Sequence, residues 1–186
     1  MARLILITGG ARSGKSGYAQ RFAESLPGRR LYIATSPVTD PEMAARIERH
    51  RRDRQGRGWR TVEEPMALAR LLEGQLEYDI VLIDCLTLWV NNLMFAETRE
   101  LHEEPRDELH EESLSVRVGE VVRACAARPG TVIMVTNEVG LGIVPENPLA
   151  RRYRDLIGRC NQEVAAVADQ VVMTVCGIPM IVKEEK

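Results

Sequence analysis

A three-layer α/β domain built on a mainly parallel sheet is predicted by three observations. Short apolar runs that read as buried strands alternate with stretches of helical period along the chain. The first of them, Leu4-Ile5-Leu6-Ile7, leads directly into a glycine-rich turn and then a helix-compatible stretch, Ser16 to Leu26. A later run, Ile80-Val81-Leu82-Ile83, ends in the acid Asp84. The turn reads Gly9-Gly10-Ala11-Arg12-Ser13-Gly14-Lys15-Ser16 and fits the phosphate-binding pattern G-x-x-x-x-G-K-[ST]. Glycines let backbone N–H groups close on a triphosphate, and a helix N-terminus adds partial positive charge at the same point. Lys15 would reach the β- and γ-phosphates, and the Ser16 hydroxyl would ligate Mg²⁺. Strand, loop and helix in this register predict a P-loop nucleotide-binding domain of RecA-like type.

The chain of 186 residues is 45% hydrophobic, 28% charged and 4% aromatic, which suits a single domain over residues 1–186 without an internal linker. Its formal net charge of −2 gives no global attraction to nucleic acid or to an anionic membrane. No apolar run reaches transmembrane length, and the N-terminus enters the first strand at once, so neither membrane insertion nor a signal peptide is expected. Cys85, Cys125, Cys160 and Cys176 are widely spaced with no C-x-x-C pair, which favours reduced thiols over disulfides or a zinc site. A cytoplasmic enzyme is the expectation.

After the first helix, Arg30 to Ala34 predicts a second strand, with Thr35 and Ser36 at the rim where α/β proteins bind ligands or simply turn. Asp40-Pro41-Glu42 has the N-cap, the N1 proline and the first-turn acid of a helix start. Thr61 to Glu64 predicts a short strand, and the helix after Pro65 is expected over Met66 to Leu76. Tyr78 to Asp84 is a buried strand presenting a carboxylate toward Mg²⁺ or its water shell, with a capping aspartate as the plainer reading. Helices are predicted over Leu86 to Phe95, Ser113 to Ala127 and Leu149 to Val167, with a strand at Thr131 to Thr136. The acidic stretch 97–112 reads as an exposed excursion without chemistry, which makes His102 and His110 poor catalytic candidates. Asn137 to Pro148, with its glycines and prolines, suits a shaped loop over a ligand. Asp169 to Val175 and Met180 to Lys183 predict two strands across a Gly177-Ile178-Pro179 turn, an antiparallel edge.

The helix after Asp40 carries Met43, Ile47 and His50 on one face. Around it Arg46, Arg49, Arg51, Arg52, Arg54, Arg57 and Arg60 are opposed locally by Glu48 and Asp53. Three readings compete: a solvated helix face, a nucleic-acid patch with Trp59 for stacking, and a clamp of guanidinium forks on a polyphosphate. In the third, neighbouring guanidinium groups would hold His50 neutral, and a neutral imidazole is a competent nucleophile toward phosphorus. The residues alone lead to a small P-loop phosphotransferase or NTPase and name no substrate.

Four stretches resemble one family, the bifunctional adenosylcobinamide kinase and adenosylcobinamide-phosphate guanylyltransferase of cobalamin biosynthesis. They are Thr8-Gly-Gly-Ala-Arg-Ser-Gly-Lys-Ser16, Tyr32-Ile-Ala-Thr-Ser36 and Met43-Ala-Ala-Arg-Ile-Glu-Arg-His50. The fourth is Val135-Thr-Asn-Glu-Val-Gly-Leu-Gly-Ile-Val-Pro-Glu-Asn147, continuing through Leu149-Ala-Arg151 to Asn161. The acidic segment 97–112 has no counterpart in the resemblance and reads as an insertion.

The resemblance implies phosphorylation of the aminopropanol arm of adenosylcobinamide by ATP or GTP with Mg²⁺. GMP transfer from GTP through a guanylyl-histidine would follow, giving adenosylcobinamide-GDP. It makes His50 and Lys15 the catalytic residues, and Ser16 and Asp84 the Mg²⁺ ligands. Nucleotide contacts fall on Gly9, Gly10, Ala11, Arg12, Ser13, Gly14, Lys15, Ser16, Ala34, Thr35, Ser36, Arg51, Arg52, Asp53, Arg54, Glu63 and Asp84, with Glu64 the alternative to Glu63. It also implies a homotrimer whose partners are a corrinoid and nucleotides, with no nucleic acid. The rival readings are a monofunctional P-loop kinase with a structural His50, a RecA-like nucleic-acid-binding ATPase, and a non-catalytic nucleotide sensor.

Overall fold

The computed structural model describes residues 1–37, 48, 51–52, 54–99 and 110–184. Within them lie strands β1 Arg3–Gly9, β2 Arg30–Ala34, β3 Trp59–Glu63, β4 Ile80–Asp84, β5 Thr131–Val135, β6 Gln170–Val175 and β7 Ile178–Glu184. They form one sheet in the order β3-β2-β4-β5-β1-β6-β7. Neighbours are parallel throughout except β6 and β7, the antiparallel edge. The helices are α1 Lys15–Ser25, α2 Leu68–Gly74, α3 Leu86–Arg99, α4 Glu111–Ala127 and α5 Pro148–Val167. No helix among the described residues is long and apolar enough to cross a membrane.

The strands read as continuous apolar runs because both of their faces are covered. Alternate residues serve two cores. Leu4, Leu6, Ile33, Ile83 and Met134 pack against Leu72 of α2, Trp89 of α3, Val118 of α4 and Ile157 of α5. Ile5, Ile7, Tyr32, Leu82 and Val135 face the opposite way, onto Ala19 and Ala23 of α1. Each fully buried Leu, Ile or Val side chain contributes about 1.5–3 kcal/mol relative to exposure. Two small alanines at the contact let α1 lie close to the sheet, which sets the phosphate loop before it directly above β1.

Several boundaries differ from expectation, each for a local reason. β3 begins at Trp59, two positions before the predicted Thr61, because Trp59 pairs in register with Arg30 at the start of β2. α2 is shorter than Met66 to Leu76. The Glu64 carboxylate accepts from the N–H groups of Met66 at 2.9 Å and Ala67 at 2.7 Å, so those residues form a turn ahead of the helix. The acidic stretch is partly helical: α3 runs to Arg99 and α4 starts at Glu111 with Glu112 beside it, where acids suit the helix dipole. The hairpin turn is also displaced. Cys176 and Gly177 both have positive φ, 52° and 81°, the signature of a two-residue type I′ turn. Ile178 and Pro179 therefore begin β7, and Pro179 sits opposite Thr174 on the open edge, where its missing N–H is tolerated.

The lower end of the sheet is stitched through Asp79 and Gly130. Thr131 N donates to Asp79 O at 2.8 Å, and Arg3 N to Gly130 O at 2.9 Å. Gly130 has φ 88°, and a Cβ there would stand 2.1 Å from the Asp79 carbonyl oxygen, a backbone atom that cannot step aside. Gly130→Ala is therefore expected to destabilise by about 3 kcal/mol, lowering Tm by roughly 5–10 °C in a thermal melt. An unchanged Tm would mean the stitch is not rigid.

Candidate active site at the carboxyl edge of the sheet

Because β1, β2, β3, β4 and β5 are parallel, their carboxyl ends share one edge, where such folds bind ligands. The phosphate loop leaves β1 there. Gly9 has φ 150°, and a Cβ on it would meet Thr174 O at 2.5 Å, so the backbone approach to β6 requires glycine. Ser13 N closes the loop on Gly10 O at 3.2 Å. The buried Thr174 hydroxyl donates to Thr8 O at 3.1 Å and lies 2.9 Å from Ser13 Oγ, which therefore donates to it. The hairpin turn adds Gly177 N to Ser13 O at 2.9 Å. Lys15 Nζ lies over its own loop, donating to Gly10 O at 3.2 Å. Lys15 and Ser16 are half-buried, and Gly14 is exposed. Donors and a cation are thus held in place by bonds that do not use the outward N–H groups.

Asp84 closes β4 on the same edge. One of its oxygens, Oδ2, accepts from Tyr32 OH at 2.8 Å. Tyr32 is buried, with its phenol pKa pushed well up by burial first and by Asp84 next, so it stays a donor. The Arg54 guanidinium lies 3.5 Å above the Tyr32 ring centroid, and Trp59 meets that ring edge-on at 6.0 Å. The Cys85 thiol is pushed up to about 11 by burial and Asp84, which disqualifies it as a nucleophile at neutral pH. Among the described residues no group of three or more His, Cys, Asp or Glu could hold a metal. One carboxylate and one hydroxyl, Asp84 and Ser16, fit Mg²⁺ held mostly by nucleotide phosphates and water rather than by a protein cage.

The other predicted contacts divide. Thr35 is fully buried, and its hydroxyl accepts from Cys85 N and donates to Cys85 O, both at 2.7 Å, while its carbonyl accepts from Asn92 at 2.8 Å. It holds β2 to β4 and leaves Ala34 and Ser36, both half-buried, at the rim. Arg51 pairs with Glu63, and Arg52 with Glu48 at 3.2 Å, all at exposed positions where such pairs add little stability. Of the two candidate glutamates, Glu63 thus meets the arginine segment, whereas Glu64 is spent on backbone. A cavity of about 450 Å³ opens beside Arg51, Arg52, Arg54 and Trp59. Trp59 Nε1 donates to Glu24 at 3.0 Å and its ring meets Tyr32 edge-on, which ties it to α1 and β2. His50 and Asp53, with Arg46 and Arg49, lie outside the described residues.

Sequence reasoning missed two polar links. The first is Arg54–Tyr32–Asp84. In the second, Thr8 Oγ1 donates to Glu138 Oε1 at 2.5 Å, Asn161 Nδ2 donates to the same oxygen at 3.3 Å, and Glu138 N donates to Gly9 O at 3.2 Å. Thr136 Oγ1 in turn donates to Asn161 Oδ1 at 2.7 Å. Phenylalanine at position 32 tests the first link. Tyr32→Phe removes the donor that orients Asp84 and should raise the Mg²⁺ concentration for half-maximal activity about tenfold or more, at about 1.5 kcal/mol for one hydrogen bond to a charged group. Competition of Mn²⁺ with Mg²⁺, read by electron paramagnetic resonance in the presence of nucleotide, checks it. An unchanged Mg²⁺ dependence would make Tyr32 a core residue only.

This strand order, a phosphate loop after β1 and an acid closing β4 define a P-loop nucleotide enzyme. The fold is shared with a solved ATPase of the type III secretion system of pathogenic bacteria, at TM-score 0.55 and 13% identity, over 92% of this chain and 50% of that one. The family model for cobinamide kinase / cobinamide phosphate guanyltransferase matches residues 5–182. The chain is 44% identical over 185 residues to the bifunctional adenosylcobalamin biosynthesis protein CobU of Escherichia coli, covering 97% of this chain and 99% of that protein. It is 45% identical over 182 residues to CobU of Salmonella typhimurium, with the same coverage. Against CobP of Pseudomonas aeruginosa it is 42% identical over 181 residues, covering 97% of each. The chain belongs to the cobinamide kinase / cobinamide phosphate guanyltransferase family, and it is a bifunctional enzyme.

Proposed function

We propose that the protein transfers the γ-phosphoryl group of ATP or GTP to the terminal hydroxyl of the aminopropanol arm of adenosylcobinamide, then adds GMP to the phosphate so formed. In the first step the hydroxyl oxygen bonds to the γ-phosphorus, the bond to the β-phosphate oxygen breaks, and the hydroxyl proton is released. Lys15 and the loop N–H groups position and neutralise the group in flight, and Ser16 and Asp84 would hold Mg²⁺, which when bound supplies further positive charge. In the second step a His50 nitrogen bonds to the α-phosphorus of GTP and pyrophosphate departs. The acceptor phosphate oxygen then takes GMP and restores the imidazole.

One observation carries this reading. Arg51 bonds to Glu63 at the carboxyl end of β3, so the chain directly after His50 reaches the sheet edge that bears the phosphate loop. Arginines there would neutralise a triphosphate and keep the imidazole unprotonated. The test is incubation of the protein with Mg²⁺ and GTP labelled at the α- or the γ-phosphate, followed by denaturation. Retained α-label, stable to alkali and lost in acid, is expected. Retained γ-label, or none with nucleotide still bound, would overturn the intermediate.

We also read the enzyme as a homo-oligomer, a trimer by resemblance. The open sheet edge supports this: Ile178, Met180, Ile181 and Val182 of β7 are exposed, and a bare apolar edge strand invites a partner. The cytoplasm, where ATP and GTP are made, is the compartment such an enzyme requires.

A further inference from the structure

Four apolar side chains stand out on the segment after β5. Leu141 is 72% exposed, Ile143 95%, Val144 60% and Leu149 45%. The phosphate chemistry uses none of them. Their backbone is nevertheless fixed. Glu138 N donates to Gly9 O at 3.2 Å, and a short 3₁₀ turn, Val139–Leu141, follows, closed by Leu141 N to Glu138 O at 3.2 Å. Val139 packs against the core. Farther on, Arg151 Nη1 donates to Pro145 O at 3.0 Å and to Glu146 O at 2.6 Å, and Asn147 caps α5 through Leu149 N at 2.8 Å. A segment tied at both ends while its apolar side chains stand in water is a surface made to be covered.

What covers it follows from where its ends lie. The first end is bonded to the phosphate loop. The second, at Pro148, borders a cavity of about 370 Å³ between the first turns of α4 and α5, lined also by His110, Glu111, Arg152 and Asp155. An apolar ledge thus runs from the site of phosphoryl transfer to a polar recess of mixed charge. Glu111 and Asp155 there balance Arg151 and Arg152, so the recess carries no excess of positive charge to draw a second triphosphate.

We infer that the ledge and the recess seat the corrin macrocycle of the acceptor, an inference that rests on the function proposed above. A corrin presents methyl-studded faces and a rim of carboxamide arms that both donate and accept hydrogen bonds. Leu141, Ile143 and Val144 take the ring face, and the recess takes amide arms with donors and acceptors together. The hydroxyl-bearing arm then returns along Glu138 toward the phosphate loop.

The experiment compares the full-length protein with a Leu141→Ser/Ile143→Ser double variant and with Leu76→Ser, an exposed apolar position just ahead of β4, at the amino ends of the strands. The double variant should raise the KM for adenosylcobinamide about tenfold or more, as loss of apolar contact with one or two side chains requires. Its half-saturating GTP should stay within about twofold, and Leu76→Ser should move neither value. A corrinoid KM unmoved by the double variant would overturn the proposal. So would a change in oligomer size with corrinoid KM unmoved, which assigns the ledge to a second copy. Should the wild-type enzyme bind GTP yet transfer nothing to adenosylcobinamide, the function proposed above fails by itself. Equilibrium dialysis of cobinamide then decides the ledge: retention by wild type and loss by the double variant uphold it, and equal retention overturns it.

Discussion

Replacing His50 with alanine is expected to abolish guanylyl transfer, a fall of at least about 10⁴-fold, because the proposed covalent intermediate would lose its nucleophile and no alternative route has a comparable rate. The kinase step should fall far less, since in the proposed mechanism its γ-phosphoryl group passes directly to a hydroxyl with Lys15, the loop and Mg²⁺ neutralising it. The two steps are separable. Transfer of γ-label to adenosylcobinamide reads the first, and transfer of α-label to supplied adenosylcobinamide phosphate reads the second. The contrast between them carries the argument, because a structural histidine would depress both together through misplacement of Arg51 and its partner Glu63. Equal losses in the two assays would assign His50 to nucleotide binding or packing. No loss in the second would remove the covalent intermediate altogether.

The phosphate loop and the buried strands were legible because their signals are local. A P-loop is a run of eight consecutive residues whose glycines and lysine have individual duties. Parallel strands covered on both faces must be apolar at nearly every position, so they announce themselves in composition. What the chain hides are contacts fixed by register. Tyr32 looks like one more core aromatic, and its bond to Asp84 spans 52 positions. It exists because Ala34 pairs with Asp84 across β2 and β4, which brings the carboxylate beside the tyrosine on the same strand. Thr8 and Glu138 are separated by 130 positions and meet only because β5 lies next to β1. The misplaced hairpin turn has a related cause. Pro179 looked like a turn former, whereas the turn is made by Cys176, a residue rarely found at positive φ, with Gly177. Arg54 shows the limit of composition most plainly: grouped by charge with the other arginines, it is buried against an aromatic ring.

Lys15→Ala is expected to lower kcat for phosphorylation about 10³-fold, roughly 4 kcal/mol of lost transition-state stabilisation, without lowering stability. The two halves of that expectation have opposite origins. In the proposed phosphorylation charge develops on the transferring phosphoryl group, and the lysine is the side-chain cation that the phosphate motif would supply to it. Folding gains little from that cation, whose bond to Gly10 O stays within its own loop. Lys15 is the first residue of α1, whose opening turn contains no acid, so a positive charge sits where the helix dipole is itself positive. Alanine relieves that repulsion and is the best helix former, which offsets the lost bond from Nζ to Gly10 O. The site therefore breaks a local rule of helix design for the sake of a function made elsewhere. Steady-state kinetics and a thermal melt on the same preparation decide it: kcat within about tenfold of wild type, or a Tm lower by more than roughly 5 °C, would each sink the argument. Lys15→Arg sharpens the test. A planar guanidinium keeps the charge but cannot be placed as a compact point donor under the same glycine-lined loop, so most of the activity should stay lost although the charge is restored.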